Sequence, residues 1–171
     1  PDKGIGELKT LIEECRYGRA IELFDYLEDE EKIKTPNYFL DAIEAHVEMG
    51  NNKMIGRILK GMHAEGNIFR IDDYKVRQIF YMLGKRDPSL LGDMVKRFRK
   101  LITMGPSSYG VLIRQFSKNG MFDHAYDTYR VCSEENIIDE NVIISAIEMH
   151  YLMGNIDTGE HLYDTLIQKG Y

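Results

Sequence analysis

Residues 109–136 read YGVLIRQFSKNGMFDHAYDTYRVCSEEN, and residues 143–170 read IISAIEMHYLMGNIDTGEHLYDTLIQKG. At an offset of 34 the second stretch matches the first. Gly120 falls on Gly154, Asp123 on Asp157, Ala125 on Gly159, Tyr129 on Tyr163 and Asn136 on Gly170. Each stretch is an apolar-periodic helix, a Gly turn, a second apolar-periodic helix and a Gly or Asn stop. A 34-residue period made of two helices is the signature of an α-helical repeat array.

The same plan extends to the start of the chain. Leu8, Leu11, Ile12 and Cys15 follow the i, i+3, i+4, i+7 spacing of one helical face. Arg16-Tyr17-Gly18 breaks that face. Ala20, Ile21, Phe24 and Leu27 then make a return helix, and the acidic run Glu28 to Glu31 is its solvated end. Thr35 as N-cap and Pro36 at the first helical position open the next pair. Phe39, Ile43 and Val47 face inward there, Gly50-Asn51-Asn52 turns the chain, and Ile55, Ile58, Leu59 and Met62 return before Gly66-Asn67. A third pair starts at the Asp72-Asp73 cap. Tyr74, Val76, Ile79, Phe80 and Leu83 lead to a break at Gly84, and residues 85–88 turn the chain. Leu91, Val95, Phe98 and Ile102 return before Met104-Gly105-Pro106.

The second helices share an anchor row: Phe24, Leu59, Val95, Tyr129 and Tyr163, at gaps of 35, 36, 34 and 34. Three residues on comes a second row: Leu27, Met62, Phe98, Cys132 and Leu166. One helix pair cannot bury its apolar face alone, so stacked neighbours must supply the core. Small residues stand early in the second helices, at Ala20, Gly56, Gly92, Ala125 and Gly159. A Gly inside a helix costs about 1 kcal/mol against Ala, and close approach of a partner helix is the expected return. The reading is an all-α, single helical-repeat array over residues 1–171, with repeats at 1–34, 35–69, 70–105, 106–139 and 140–171.

Composition narrows the function. The net charge of −6 excludes a generally basic nucleic-acid binder, so any polyanion contact must use a local patch. Cys15 and Cys132 make neither a disulfide framework nor a zinc site. Both lie on apolar stripes, where buried reduced thiols are expected. No apolar run approaches the roughly 18 residues of a membrane span, and no targeting peptide is visible. His46, His63, His124, His150 and His161 fit no metal-binding spacing. No phosphate loop or nucleophile elbow is present. The expectation is therefore a non-enzymatic chain with no metal and no cofactor.

One charge cluster stands out. Lys96, Arg97, Arg99 and Lys100 flank Phe98, and with Phe98 facing the core these cations point outward. Arg57 and Lys60 stand on the preceding second helix. If the second helices lie side by side, the six form one basic strip for RNA phosphates or an acidic partner. Such contacts fix position without reading sequence.

Several stretches resemble the pentatricopeptide repeat family. They are Tyr109-Gly-Val-Leu-Ile, Phe116-Ser-Lys-Asn-Gly120, Asp123-His-Ala125, Tyr129 and Asn136-Ile137, together with Met49-Gly50-Asn51 and Met153-Gly154-Asn155. The resemblance implies a right-handed α-solenoid whose first helices line a concave surface. It also implies a place in mitochondrial or chloroplast RNA metabolism. The expected partners are single-stranded RNA or rRNA and the protein subunits of a larger assembly, with no DNA and no membrane. In the family's RNA readers, a residue early in the first helix and the last residue of the repeat select one base together. Carried over, those positions are Leu40 with Phe69, Tyr74 with Gly105, Gly110 with Asp139, and Ile144. Only Asp139 has the family's usual chemistry, so sequence reading by these repeats is not expected. Tetratricopeptide repeats share the two-helix, 34-residue plan, and a peptide-holding scaffold without RNA is the alternative. A second alternative is a non-catalytic segment of a longer RNA-processing enzyme.

Overall fold

The computed structural model describes residues 2–29, 36–64, 73–101 and 103–170. Among these there are ten α-helices and no strand. They are α1 (Asp2–Glu13), α2 (Tyr17–Asp29), α3 (Pro36–Glu48), α4 (Lys53–Ala64) and α5 (Asp73–Arg86). The remainder are α6 (Pro88–Leu101), α7 (Pro106–Lys118), α8 (Phe122–Glu134), α9 (Glu140–Leu152) and α10 (Ile156–Gln168). No helix among the described residues is long and apolar enough to cross a membrane. The Thr35 and Asp72 caps, Glu30 and Glu31 of the acidic run, the Gly66-Asn67 stop, Phe69 and Ile102 fall outside the described residues.

Five of the ten helices close their C-termini by one device. The amide of Arg16 donates to the Leu11 carbonyl, Asn51 to His46, Met121 to Phe116, Ile137 to Cys132 and Asn155 to His150, each at 2.8 Å. This is the long bond of a Schellman closure, and it needs a left-handed residue just before the donor. That residue is Gly50, Gly120 or Gly154 in three cases, Asn136 in the fourth and Cys15 in the first, at φ 56°. The first turn therefore sits at Cys15, and Gly18 lies inside α2. Leaving the apolar stripe to close α1 also puts Cys15 at the surface; only Cys132 is buried. Residues 85–88 are likewise no loop. α5 runs on through Gly84 to Arg86, and Asp87 alone joins it to α6. The Asp87 carboxylate accepts the Leu90 amide at 3.2 Å, and Pro88 takes the first helical position.

The chain forms two compact units, residues 1–75 with 94–103, and residues 76–93 with 104–171. In the first, α1, α2 and α3 pack on one another and α4 packs on α3. Leu8, Leu11 and Ile12 are buried at i, i+3, i+4, which is why α1 forms against its neighbours. The Tyr38 ring stacks on Phe24 with centroids 4.6 Å apart, and its hydroxyl donates to the Phe24 carbonyl at 3.1 Å. In the second unit, α9 packs on α7, α8 and α10, and α8 on α7. Gly84 meets Gln115 of α7 there: a Cβ on Gly84 would lie 2.4 Å from Gln115 Oε1. The Asn119 side chain then ties the Gly84 and Gln115 carbonyls together, at 3.1 and 2.7 Å.

The second anchor row is the core row. Leu27, Met62, Phe98, Cys132 and Leu166 are all buried. Burying such a side chain stabilises by roughly 1.5–3 kcal/mol. In the first row Phe24, Leu59 and Val95 are buried, Tyr129 is half-buried and Tyr163 is 51% exposed. The small-residue row also needs correcting. Seven residues before the core row stand Ala20, Ile55, Leu91, Ala125 and Gly159, all buried. Gly56 and Gly92 come one residue later, half-buried, and face side chains of another helix. Gly92 faces His124 and Met121, while a Cβ on Gly159 would lie 2.8 Å from the Tyr151 ring.

Candidate anion-binding cleft

Helix α4 buries Ile55, Ile58, Leu59 and Met62, which turns Arg57 and Lys60 to solvent three residues apart. Helix α6 buries Met94, Val95, Phe98 and Leu101, and turns Arg97 and Lys100 outward at the same spacing. The two Arg-x-x-Lys pairs line one cleft of about 650 Å³, with Gly56, Leu59 and Leu101 completing its wall. The structure thus brings together four of the six basic residues singled out in the sequence. Lys96 is exposed and Arg99 half-buried, and neither lines this cleft.

Three cations outside the cleft are held by carboxylates. Lys75 is largely buried between Asp41, at 2.8 Å, and Glu44. Burial alone would lower its pKa, but hydrogen bonds to the two carboxylates outweigh that and raise it. Arg114 pairs with Glu148 at 3.1 Å, and Arg130 with Glu134 at 2.7 Å. Arg57, Lys60, Arg97 and Lys100 have no ion-pair partner among the described residues. Four like charges around one apolar-floored cleft concentrate positive potential, and the low-dielectric wall strengthens it. An anion there would take charge-assisted hydrogen bonds from both helices.

The base-contact positions are scattered. Leu40 is fully buried and has no surface to offer a base. Tyr74 is exposed. Gly105 precedes α7 as its N-cap. Gly110 is buried, and a Cβ there would lie 3.4 Å from the Asn141 carbonyl oxygen, so it serves the close approach of α7 to α9. The Asp139 carboxylate accepts the Val142 amide at 3.0 Å and so caps α9. Ile144 packs against the cluster of Ile143, Ile147 and Leu166.

A smaller cleft of about 250 Å³ lies between α5, α7 and α9, lined by Arg77, Tyr81, Ser107, Gly110, Arg114, Asn141 and Ser145 among others. Of the six base-contact positions among the described residues, only Gly110 borders it. The sequence reading missed Ser107, Asn141 and Ser145. Their signal was available: Ser107 and Asn141 are 34 residues apart, polar residues at one register of successive first helices. Among the described residues, no three His, Cys, Asp or Glu side chains converge as metal ligands. A scan against protein-family models finds no match, and a search of curated proteins finds none either.

Proposed function

We propose that this chain is a pentatricopeptide-type solenoid. It acts by binding rather than catalysis, as one component of a ribonucleoprotein in mitochondrial or chloroplast RNA metabolism. Its contact with single-stranded RNA or rRNA is made to the backbone, at the cleft between α4 and α6. The observation that carries this reading is the two Arg-x-x-Lys faces, without ion-pair partners among the described residues, brought together across 40 residues of sequence in a chain of net charge −6. Phosphates satisfy such a cleft without reference to base identity. The burial of Leu40 and Gly110 and the capping role of Asp139 fit a module that positions RNA without reading it.

The test is binding of a short single-stranded RNA to the full chain across a salt series. Four phosphate contacts give a slope of log K against log salt of about −3, at about −0.7 per contact for single strands. Changing Arg57, Lys60, Arg97 and Lys100 to Gln should abolish that slope, and scrambling the RNA sequence should leave affinity unchanged. A salt-independent or sequence-selective complex that survives the four changes rejects the reading. The polar cleft of α5, α7 and α9 favours the second reading, a tetratricopeptide-like scaffold holding a peptide. That reading gains if RNA does not bind and a peptide shifts Ser107, Asn141 and Ser145.

A further inference from the structure

Helix α10 carries an exposed apolar line. Ile156 is 48%, Tyr163 51% and Ile167 55% exposed. At i, i+7 and i+11 they lie within a narrow strip of the helix surface. Leu152, the last residue of α9, and Met153, in the joint before α10, are also exposed. One side of the strip passes into the buried contact with α9 through Gly159 and Leu166. The other side is acidic: Asp157, Glu160 and Asp164, at i, i+3 and i+7, are all exposed. None of the three has an ion-pair partner among the described residues.

The repeat shows what covers the matching place elsewhere in the molecule. Phe24 holds the position of Tyr163 in the anchor row and is 6% exposed, because α3 lies over it. The cover is aromatic and hydrogen-bonded: the Tyr38 ring stacks on Phe24 and its hydroxyl caps the Phe24 carbonyl. An occupant of the α10 strip therefore needs the shape of a helix with an aromatic residue on its apolar face. The acidic edge adds the charge requirement. It repels RNA and anionic lipid, and a second copy of α10 would bring three more carboxylates to the same seam. It attracts Lys and Arg.

We propose that the α10 face is a docking surface for a basic amphipathic helix of a protein partner. The partner's aromatic residue packs against Tyr163, and its Lys or Arg side chains lie along Asp157, Glu160 and Asp164. The α10 face shares no residue with the basic cleft, so either can fail without the other.

Two synthetic helical peptides of roughly five turns, at 3.6 residues per turn, test this on the full chain. Both carry the same Tyr and Leu stripe; one is flanked by Lys and the other by Glu. Calorimetry gives affinity, and amide resonances give location. The Lys-flanked peptide is expected to bind at least about tenfold more tightly, a difference of about 1.4 kcal/mol, and to shift α10 signals. Tyr163→Ser should weaken it about tenfold. The combined Asp157→Lys, Glu160→Lys and Asp164→Lys variant should invert the preference between the two peptides. All four positions are exposed, so an unchanged circular dichroism spectrum is expected and is checked first, variant by variant. Equal binding of the two peptides, binding of neither, or shifts confined to other helices overturns the proposal. So does concentration-dependent dimerisation that Tyr163→Ser abolishes, which would make a second copy the occupant.

Discussion

The guanidinium of Arg97, on α6, faces Gly56, on α4. A Cβ built on Gly56 would stand 3.4 Å from Arg97 Nη1. That is ordinary contact with the far end of a flexible side chain. Gly56→Ala should therefore recover helix propensity and stabilise the protein by up to about 1 kcal/mol, with the cleft intact. Gly84→Ala should do the opposite. Its Cβ would meet Gln115 Oε1 at 2.4 Å and Gln115 Cγ at 2.9 Å, and Gln115 is itself buried. Urea unfolding of the two variants should give midpoints on opposite sides of the wild type. A stabilised Gly84→Ala would show that Gln115 has somewhere else to go.

Lys75 tests the buried charge. Its ammonium sits between Asp41 and Glu44 with little solvent to share the load. Lys75→Met leaves two carboxylates facing each other in a poorly solvated site, and breaking a buried pair this way costs about 3–5 kcal/mol. Replacing all three, with Asp41→Leu and Glu44→Leu added, should return most of that loss, because an apolar cluster replaces a buried ion triad at little net cost. If the triple variant is no more stable than Lys75→Met, the carboxylates have a further structural role.

These residues show what the sequence disclosed. Helix existence and the core row at Leu27, Met62, Phe98, Cys132 and Leu166 were legible, because burial along a helix leaves a period. The turn at Cys15 was not, since a non-glycine residue there has no compositional mark of its φ. Gly84 was misread for the converse reason: a glycine needed for the approach of Gln115 looks in sequence like one needed for a turn. The basic cleft was half legible. Lys96, Arg97, Arg99 and Lys100 are one run, yet only Arg97 and Lys100 turn to the cleft, and that choice depends on which residues α6 buries. The Lys75 triad joins residues 31 and 34 positions apart on two helices, and nothing local announces it.

Acid should weaken the fold through two histidines. His46 and His150 are buried, and among the described residues Nδ1 and Nε2 of His46 and Nδ1 of His150 have no hydrogen-bond partner. Burial lowers the pKa of both; for His46 the Asp25 charge opposes this but does not reverse it. An unfolded histidine titrates near 6.5. Below that pH the unfolded chain takes up protons that the folded one refuses. Stability is therefore full above about pH 6.5 and is lost as pH falls toward the lowered folded values. His150→Leu, with an apolar side chain like Phe80 and Phe116 at the matching register of α5 and α7, should flatten this acid limb. Urea midpoints at a series of pH values would show it. An unchanged acid limb in the double variant with His46→Leu would move the cause to the carboxylates.

The repeat register itself can be tested by comparing two residues that the sequence treats as equivalent. Leu59 and Tyr163 occupy the same anchor row, but Leu59 is 1% exposed and Tyr163 51%. Leu59→Ala removes a branched side chain from a closed site and should cost about 2–5 kcal/mol, transfer and cavity together. Tyr163→Ala leaves no cavity, since one side of the ring already faces water, and should change stability by no more than about 0.5 kcal/mol, as surface substitutions do. Tyr129→Ala, half-buried, should fall between them. Denaturant unfolding ranks the three directly. The position in the repeat predicts equal losses; the environment of each residue predicts the graded series. A loss at Tyr163 as large as that at Leu59 would mean that its ring is covered in solution, and would identify α10 as a buried element of a larger assembly.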